Sequence, residues 1–272
     1  MKNPTQASTN PYPFSDSNKR YYTYDCYLRR TYGKKCRKIP LDGGFTCPNI
    51  DGTCGRGGCI YCSARGSGDF APDARLPIAE QIARQRALYA HKWDVSACIA
   101  YFQARTNTYA PVAVLREKFE AALAVDGIVG LNVATRADCL PPDVVAYLSD
   151  LAERTDLTVE LGLQSSSDAT AARIRRGHTW AQFLEGYNRL RAASGKIAIC
   201  VHLIFGLPEE NDETMLQTVR DVAALRPEQV KLHLLHVLRG TELEKQWRAG
   251  SYQPLEEPHY IRLLASALEL LP

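Results

Sequence analysis

Six β-favouring, largely apolar runs recur along the chain, at residues 39–45, 97–102, 128–133, 158–163, 197–205 and 229–235, and each is followed by a helical pattern. Several are nearly uninterrupted in their apolar character, which suits strands covered on both faces. The intervening segments repeat apolar residues at the helical period. Their faces are Ile78, Ile82 and Tyr89; Val112, Leu115, Phe119 and Leu123; Val144, Leu148 and Leu151; Trp180, Phe183, Leu184, Tyr187 and Leu190; Met215, Val219 and Val222; and Ile261, Leu264, Leu268 and Leu271. Thr179 and Gln182 have the spacing of a capping box, and Pro111 and Pro141 fall where a first helical turn tolerates proline. Strand-then-helix alternation predicts a parallel sheet with crossover helices. Six units are too few to close an eight-stranded barrel, so the pattern leaves a partial barrel or a doubly wound sheet. In both, chemistry gathers at the carboxyl ends of the strands.

The chain is long enough, at 272 residues, to fold around its own core without covalent staples. Residues 1–20 are polar and rich in Pro, Asn and Ser, and are expected to be disordered; they lack the apolar stretch of a secretory signal. Residues 21–272 are expected to form one core domain, from which a C-terminal extension could be missing. With no apolar run long enough to span a bilayer, a cytoplasmic location is expected. Nine cysteines in such a chain are then expected as metal ligands or buried thiols rather than disulfides. Net charge is +3, but nine Lys and Arg fall within the first forty residues, against Asp16 and Asp25. This basic arm could touch a polyanion; a solvated arm is the plainer reading, and Tyr21, Tyr22, Tyr24 and Tyr27 suggest that part of it packs on the domain.

Four of the cysteines, Cys47, Cys54, Cys59 and Cys62, lie within one sixteen-residue stretch directly after the first run. Residues 43–68 also hold eight of the eighteen glycines, enough to curl a backbone around a bulky group. The spacing is not that of two paired Cys-x2-Cys zinc knuckles. Three thiolates, in the pattern Cys47-x11-Cys59-x2-Cys62, could instead hold a [4Fe–4S] cluster and leave one iron open to an exchangeable ligand. Two chemistries without catalysis stay open on the residues alone: a zinc- or iron–sulfur-stabilised RNA-binding protein, and an electron carrier.

The stretch from Gly44 to Cys62 resembles the radical S-adenosylmethionine (radical SAM) superfamily, and within it the YhcC-like branch, related to the elongator-, MiaB- and NifB-type core. The resemblance runs from about Tyr21 to the end of the chain. It includes Tyr101 to Pro111, Ala134 to Asp138, Leu161 to Gln164, Arg175 to His178, Leu203 to Glu209 and Lys231 to His233. It implies a partial (β/α)6 TIM-like barrel of the radical SAM type. It also implies a [4Fe–4S] cluster on Cys47, Cys59 and Cys62, with Cys54 spare, and S-adenosylmethionine on the open iron. The implied activity is reductive cleavage to a 5′-deoxyadenosyl radical that acts on an unidentified substrate, tRNA being one candidate. An external one-electron donor such as flavodoxin or ferredoxin is implied as partner, and no membrane.

The resemblance also marks cofactor-binding candidates. Tyr61 lies between two cluster cysteines. Gln103 opens a turn (Gln103 to Thr106) where relatives often carry Gly-Gly-Glu, from which this chain departs. Gln164 and Arg176 resemble positions that touch ribose and the methionyl carboxylate; His202 stands where some relatives hold the ribose with an acid. Other polar residues have plainer expectations: Arg136 pairs with Asp138, Cys139 is buried, Cys200 shares the face of His202, Lys231 and His233 form polar wall or meet substrate, and Glu209 and Glu210 form a solvated turn. Cys26 and Cys36 lack the further ligands a second cluster would need.

Overall fold

The computed structural model describes Tyr12 and residues 19–272; most of the expected disordered segment, residues 1–20, lies outside the described residues. In chain order the elements are α1 (Tyr24–Tyr32), β1 (Arg37–Leu41), α2 (Pro48–Asp51), α3 (Ile78–Ala90), β2 (Cys98–Phe102), α4 (Val112–Leu123), β3 (Ile128–Thr135), a 3-10 turn (Ala137–Cys139), α5 (Pro142–Ala152), β4 (Asp156–Gln164), α6 (Asp168–Arg173), α7 (Trp180–Ala193), β5 (Ala198–Phe205), α8 (Asp212–Leu225), β6 (Gln229–Leu234), α9 (Glu242–Arg248) and α10 (Glu257–Leu270). The six strands form one sheet in the order β1-β2-β3-β4-β5-β6, every pair parallel. Sequential order without a switch point decides between the two architectures left open: the sheet curls as a half-barrel.

The two faces of that sheet differ in chemistry because strand side chains alternate. Ile39, Leu41, Phe102, Leu131, Val133, Val159, Leu161, Val201 and Leu203 point outward and are almost wholly buried in one apolar core with α3, α4, α5, α7, α8 and α10. At roughly 2 kcal/mol for each large aliphatic side chain removed from water, this layer supplies most of the driving force. The inward positions carry Lys38, Tyr101, Asn132, Glu160, Cys200, His202, Lys231 and His233, so the concave face is polar.

The expected helical faces are the buried ones, with one exception. In α10 the core contacts are Leu263 and Ala267, whereas Ile261 is exposed. The leucine-rich run allows two neighbouring faces, and contact with α8 selects the first. The capping box at Thr179 and Gln182 is formed, and Pro111 and Pro141 are the N-cap residues of α4 and α5. The first strand ends at Leu41, short of Phe45, because Gly44 takes a left-handed turn (φ +76°). Pro40 is tolerated within β1 because it is an edge strand.

Of the four tyrosines expected to pack, Tyr24 and Tyr27 do, whereas Tyr21 and Tyr22 are exposed. α1, capped by Thr23 and ended by Gly33, lays Tyr24, Tyr27, Leu28 and Tyr32 near Cys36, Ala97 and Ile99 at the amino ends of the strands. Tyr32 donates its hydroxyl to the Val129 carbonyl (3.2 Å) and to Asp156. The fold also uses part of the arm's charge: Arg37 stacks on Trp93 (3.6 Å) and Lys38 pairs with Glu160. No helix among the described residues is long and apolar enough to cross a membrane.

Candidate functional site

The cysteine loop leaves the carboxyl end of β1 and folds back on itself. Cys47 is the N-cap of α2, Pro48 occupies its first turn, and Gly52 ends it in the left-handed region. Backbone bonds from Cys54 to the Pro48 carbonyl (2.7 Å) and from Gly58 to that of Asn49 (2.9 Å) close the curl. A tight turn then joins Cys59 to Cys62, whose N–H donates to the Cys59 carbonyl (3.1 Å). Ile60 locks this turn to the rest of the barrel, donating to Ile174 (3.1 Å) and accepting from Leu243 (2.9 Å).

The four cysteines differ in setting. Cys59 is buried, Cys47 and Cys62 are half-buried, and Cys54 is exposed. The hydrogen bond from Cys62 holds the Cys59 thiol below the ordinary range despite burial, with the Arg176 charge helping. The same bond and burial push Cys62 upward. The lowered Cys59 thiol beside a guanidinium is a setting that favours loss of its proton to a metal. Tyr61, half-buried between them in the chain, bonds Cys59, and the low-dielectric surroundings of its hydroxyl raise its phenol well above the ordinary range.

The facing wall comes from the end of β4 and the loop after α6. Gln164 ends β4 with φ +78°. Arg176 donates to the Gly162 carbonyl. A Cβ on Gly162 would stand 2.9 Å from the Gln164 amide nitrogen and 3.0 Å from Arg176 Nη2, so these two side chains converge over a glycine. Gln164 Oε1 and Arg176 Nε are both buried with no hydrogen-bond partner. Such atoms cost about 1–3 kcal/mol each unless something satisfies them.

Arg136 and Asn49 hold this wall in place. Arg136 is buried and pairs with Asp138 (2.6 Å), as expected; its other nitrogen donates to the Arg176 carbonyl (2.7 Å). Asn49 donates to the Arg175 carbonyl and to Cys59 Sγ (3.4 Å), tying the cysteine loop to the same segment. Gln103 follows the last residue of β2 and donates its backbone N–H to the Leu41 carbonyl (3.2 Å); Arg105 N–H donates to the Gly66 carbonyl (2.8 Å), so that turn braces the chain just after Cys62.

His202 belongs to a different group. Its Nε2 donates to Glu160 Oε2 at 2.8 Å, and Glu160 also accepts from Lys38 and from Asn132 (2.6 Å). The Tyr101 hydroxyl bonds the same carboxylate. Burial would raise the Glu160 carboxyl, but the charge of Lys38 and the bond from His202 hold it well below the usual range. Burial keeps the His202 imidazole neutral.

The sequence-derived set therefore divides. Cys47, Cys59, Cys62, Tyr61, Gln164 and Arg176 gather at the carboxyl ends of the strands, with Gln103 at their edge; His202 sits deeper, on the inner face. Arg175 points its carbonyl, not its charge, at the site. Cys139 is buried with its thiol pushed up to about 12 by that burial. Glu209 pairs with Arg173, and Glu210 is partly buried, accepting from Ser165. Asn49, Lys38, Asn132 and Glu160 were missed, although Asn132 and Glu160 stand as polar residues within the apolar runs 128–133 and 158–163, and Lys38 directly precedes the first run.

Comparison with known proteins adds to this geometry. Residues 50–222 match the family model described as the Radical SAM superfamily, and residues 227–272 match the Radical_SAM C-terminal domain. The chain is 48% identical over 263 residues to the uncharacterized protein YtqA of Bacillus subtilis, covering 97% of this chain and 81% of that one. It is 41% identical over 234 residues to protein YhcC of Escherichia coli K12, covering 86% and 74%. A tRNA uridine(34) acetyltransferase of Methanocaldococcus jannaschii is 29% identical over 148 residues, 53% of this chain and 26% of that protein. Among solved structures, archaeal Elp3 of Methanocaldococcus infernus has the same fold, with a TM-score of 0.64 at 16% identity, over 87% of this chain. The chain spans about half (54%) of the length of that solved chain.

Proposed function

Because the chain belongs to the radical SAM superfamily and is an enzyme of that family, we propose that Cys47, Cys59 and Cys62 hold a [4Fe–4S] cluster with one iron left for S-adenosylmethionine. When bound, the cluster supplies the electron that cleaves the sulfonium and releases a 5′-deoxyadenosyl radical. The residues fit this pair of groups: three thiols on one loop, and a facing wall whose amide oxygen and guanidinium nitrogen lack partners. The observation that carries the proposal is Arg176, which acts on both Cys59 and Cys62 while its own Nε is buried and unsatisfied.

Each residue then has a task. Cys47, Cys59 and Cys62 bind the metal as thiolates. Arg176 offers a fixed charge to a carboxylate, and Gln164 accepts from an amine or hydroxyl of the cofactor. Tyr61 covers the pair of thiols and excludes water. Gln103 and its turn brace the loop. His202 keeps Glu160 oriented on the inner face, where we place the substrate. Residues 21–272 act as one core domain, since β6 completes the same sheet. The electron donor is a small flavodoxin- or ferredoxin-type protein, and the enzyme works in the cytoplasm. The tRNA-modifying name of one relative supports tRNA as the substrate class.

Anaerobically reconstituted protein, reduced with dithionite in the presence of S-adenosylmethionine, is expected to release 5′-deoxyadenosine, and bulk tRNA is expected to stimulate that release. Protein that keeps its iron yet forms none would end the proposal, as would colourless protein carrying one zinc. Stimulation by a small-molecule fraction but not by RNA would remove tRNA alone.

Gly162→Ala tests the facing wall. The new methyl presses on the ends of the Gln164 and Arg176 side chains, and the Thr135 carbonyl lies at an ordinary 3.8 Å, so the fold is expected to survive. Displacing one charge-assisted bond, worth about 1.5–3 kcal/mol, is expected to weaken S-adenosylmethionine binding at least tenfold in equilibrium dialysis. Unchanged affinity would take Gln164 and Arg176 out of the cofactor site.

A further inference from the structure

The inner face carries more positive charge than it neutralises. Glu160 is the carboxylate that acts on Lys38, His202 and His233 alike. It already accepts from Lys38, Asn132, His202 and Tyr101, which uses its lone pairs. Lys231, beside His202 across the β5–β6 ladder, forms no ion pair among the described residues. Its ammonium lies 5.6 Å from the centre of the Tyr101 ring, on the same face. His233, the next inward residue of β6, stacks near His202 with ring centres 5.1 Å apart. With both imidazoles neutral, Lys38 and Glu160 cancel, and the charge of Lys231 remains.

We propose that Lys231, flanked by His233 and His202, is an anion-recognition site that holds a carboxylate or phosphate group of the substrate. This rests on the reading above only in placing the substrate on the inner face. The face is reachable at β6, an edge strand on which Lys231 and His233 are both partly exposed. The single N–H of the neutral His202 ring is spent on Glu160, so the site offers one anion the Lys231 ammonium and the ring N–H of His233, with His202 as neighbouring wall.

A divalent cation is the obvious competitor, because one donor atom each from Glu160, Cys200 and His202 lie within 4.8 Å of one another. Charge decides against it. Lys38 already occupies the carboxylate, Lys231 adds a second ammonium, and burial keeps the Cys200 thiol protonated. A cation would have to displace Lys38 and approach Lys231.

The test follows the imidazole signals of His202 and His233 in the reconstituted protein by NMR. Sodium acetate, inorganic phosphate and zinc chloride are titrated at constant ionic strength. Acetate, phosphate or both are expected to shift the two rings saturably, and whichever binds more tightly identifies the group. Lys231→Met is expected to weaken that binding at least tenfold, with Lys231→Arg restoring most of it. No saturable shift with either anion, an equal response in Lys231→Met, or a response to zinc alone would overturn the proposal. Loss of the anion response in protein that still releases 5′-deoxyadenosine counts against this site only. An intact anion response in protein that binds no iron counts against the cluster assignment only.

Discussion

Cys59→Ala is expected to leave the protein unable to hold iron, while Cys54→Ala keeps about four irons per chain and the brown colour of a [4Fe–4S] protein. The two residues are five positions apart on one loop, yet the fold treats them oppositely. Cys59 is buried, bonded by Asn49 and by Cys62, and felt by the Arg176 charge. Cys54 is exposed, and burial and the nearby Asp138 carboxylate raise its thiol, against the lowering effect of Arg136. Place separates them: Cys59 sits in the buried turn with Cys62, and Cys54 on the exposed side of the loop. The measurement is iron and sulfide per chain after identical reconstitution, with circular dichroism to confirm that each variant is folded. Cys62→Ala should match Cys59→Ala. Equal iron loss in the Cys54 and Cys59 variants would overturn the three-ligand assignment.

Much of this arrangement was legible in the sequence, for physical reasons that differ between its parts. The parallel sheet was readable because burial on both sides of a strand writes itself as an apolar run, and the crossover helices because packing demands a 3.6-residue period. The choice between half-barrel and doubly wound sheet was not readable from those patterns, since it depends on strand order rather than on any one strand. The grouping of Gln164 and Arg176 with the cysteines came from the family resemblance, not from the strand pattern. Asn49 was missed because an asparagine after Cys-Pro reads as an ordinary turn residue; its value comes from the carbonyl of Arg175, far away in the chain. Glu160 was missed for a related reason. Inside Thr-Val-Glu-Leu-Gly-Leu it looks like an interruption of an apolar strand, and only the curl of the sheet brings Lys38, Asn132 and His202 to it.

That convergence makes Glu160 the residue whose loss should most damage the fold. Its side chain is 1% exposed, against 23% for Lys38, so Glu160→Ala leaves an ammonium and three further donors facing no acceptor. Removing one partner of a buried ion pair costs about 3–5 kcal/mol, and the partial exposure of Lys38 places this case at about 3. For a chain of this size that is a fall in melting temperature of roughly 6–12 °C, compared at equal iron content. The double variant Lys38→Met/Glu160→Ala should recover part of the loss, because the uncompensated charge is gone. The pH dependence follows from the same contacts. The folded Glu160 carboxyl lies below its unfolded value of about 4.3, so its contribution is fully present above that pH. It is lost as pH falls through the folded value, since the unfolded chain then binds the proton more readily. The His202 imidazole, also lowered by burial, weakens the fold in the same direction below about pH 6.5. Wild type should therefore lose its advantage over Glu160→Ala as the solution is acidified, and keep it at neutral pH. A Glu160→Ala melting temperature within the range of surface substitutions, or a gap that widens in acid, would show that the inner-face carboxylate is not the anchor of the half-barrel's polar side.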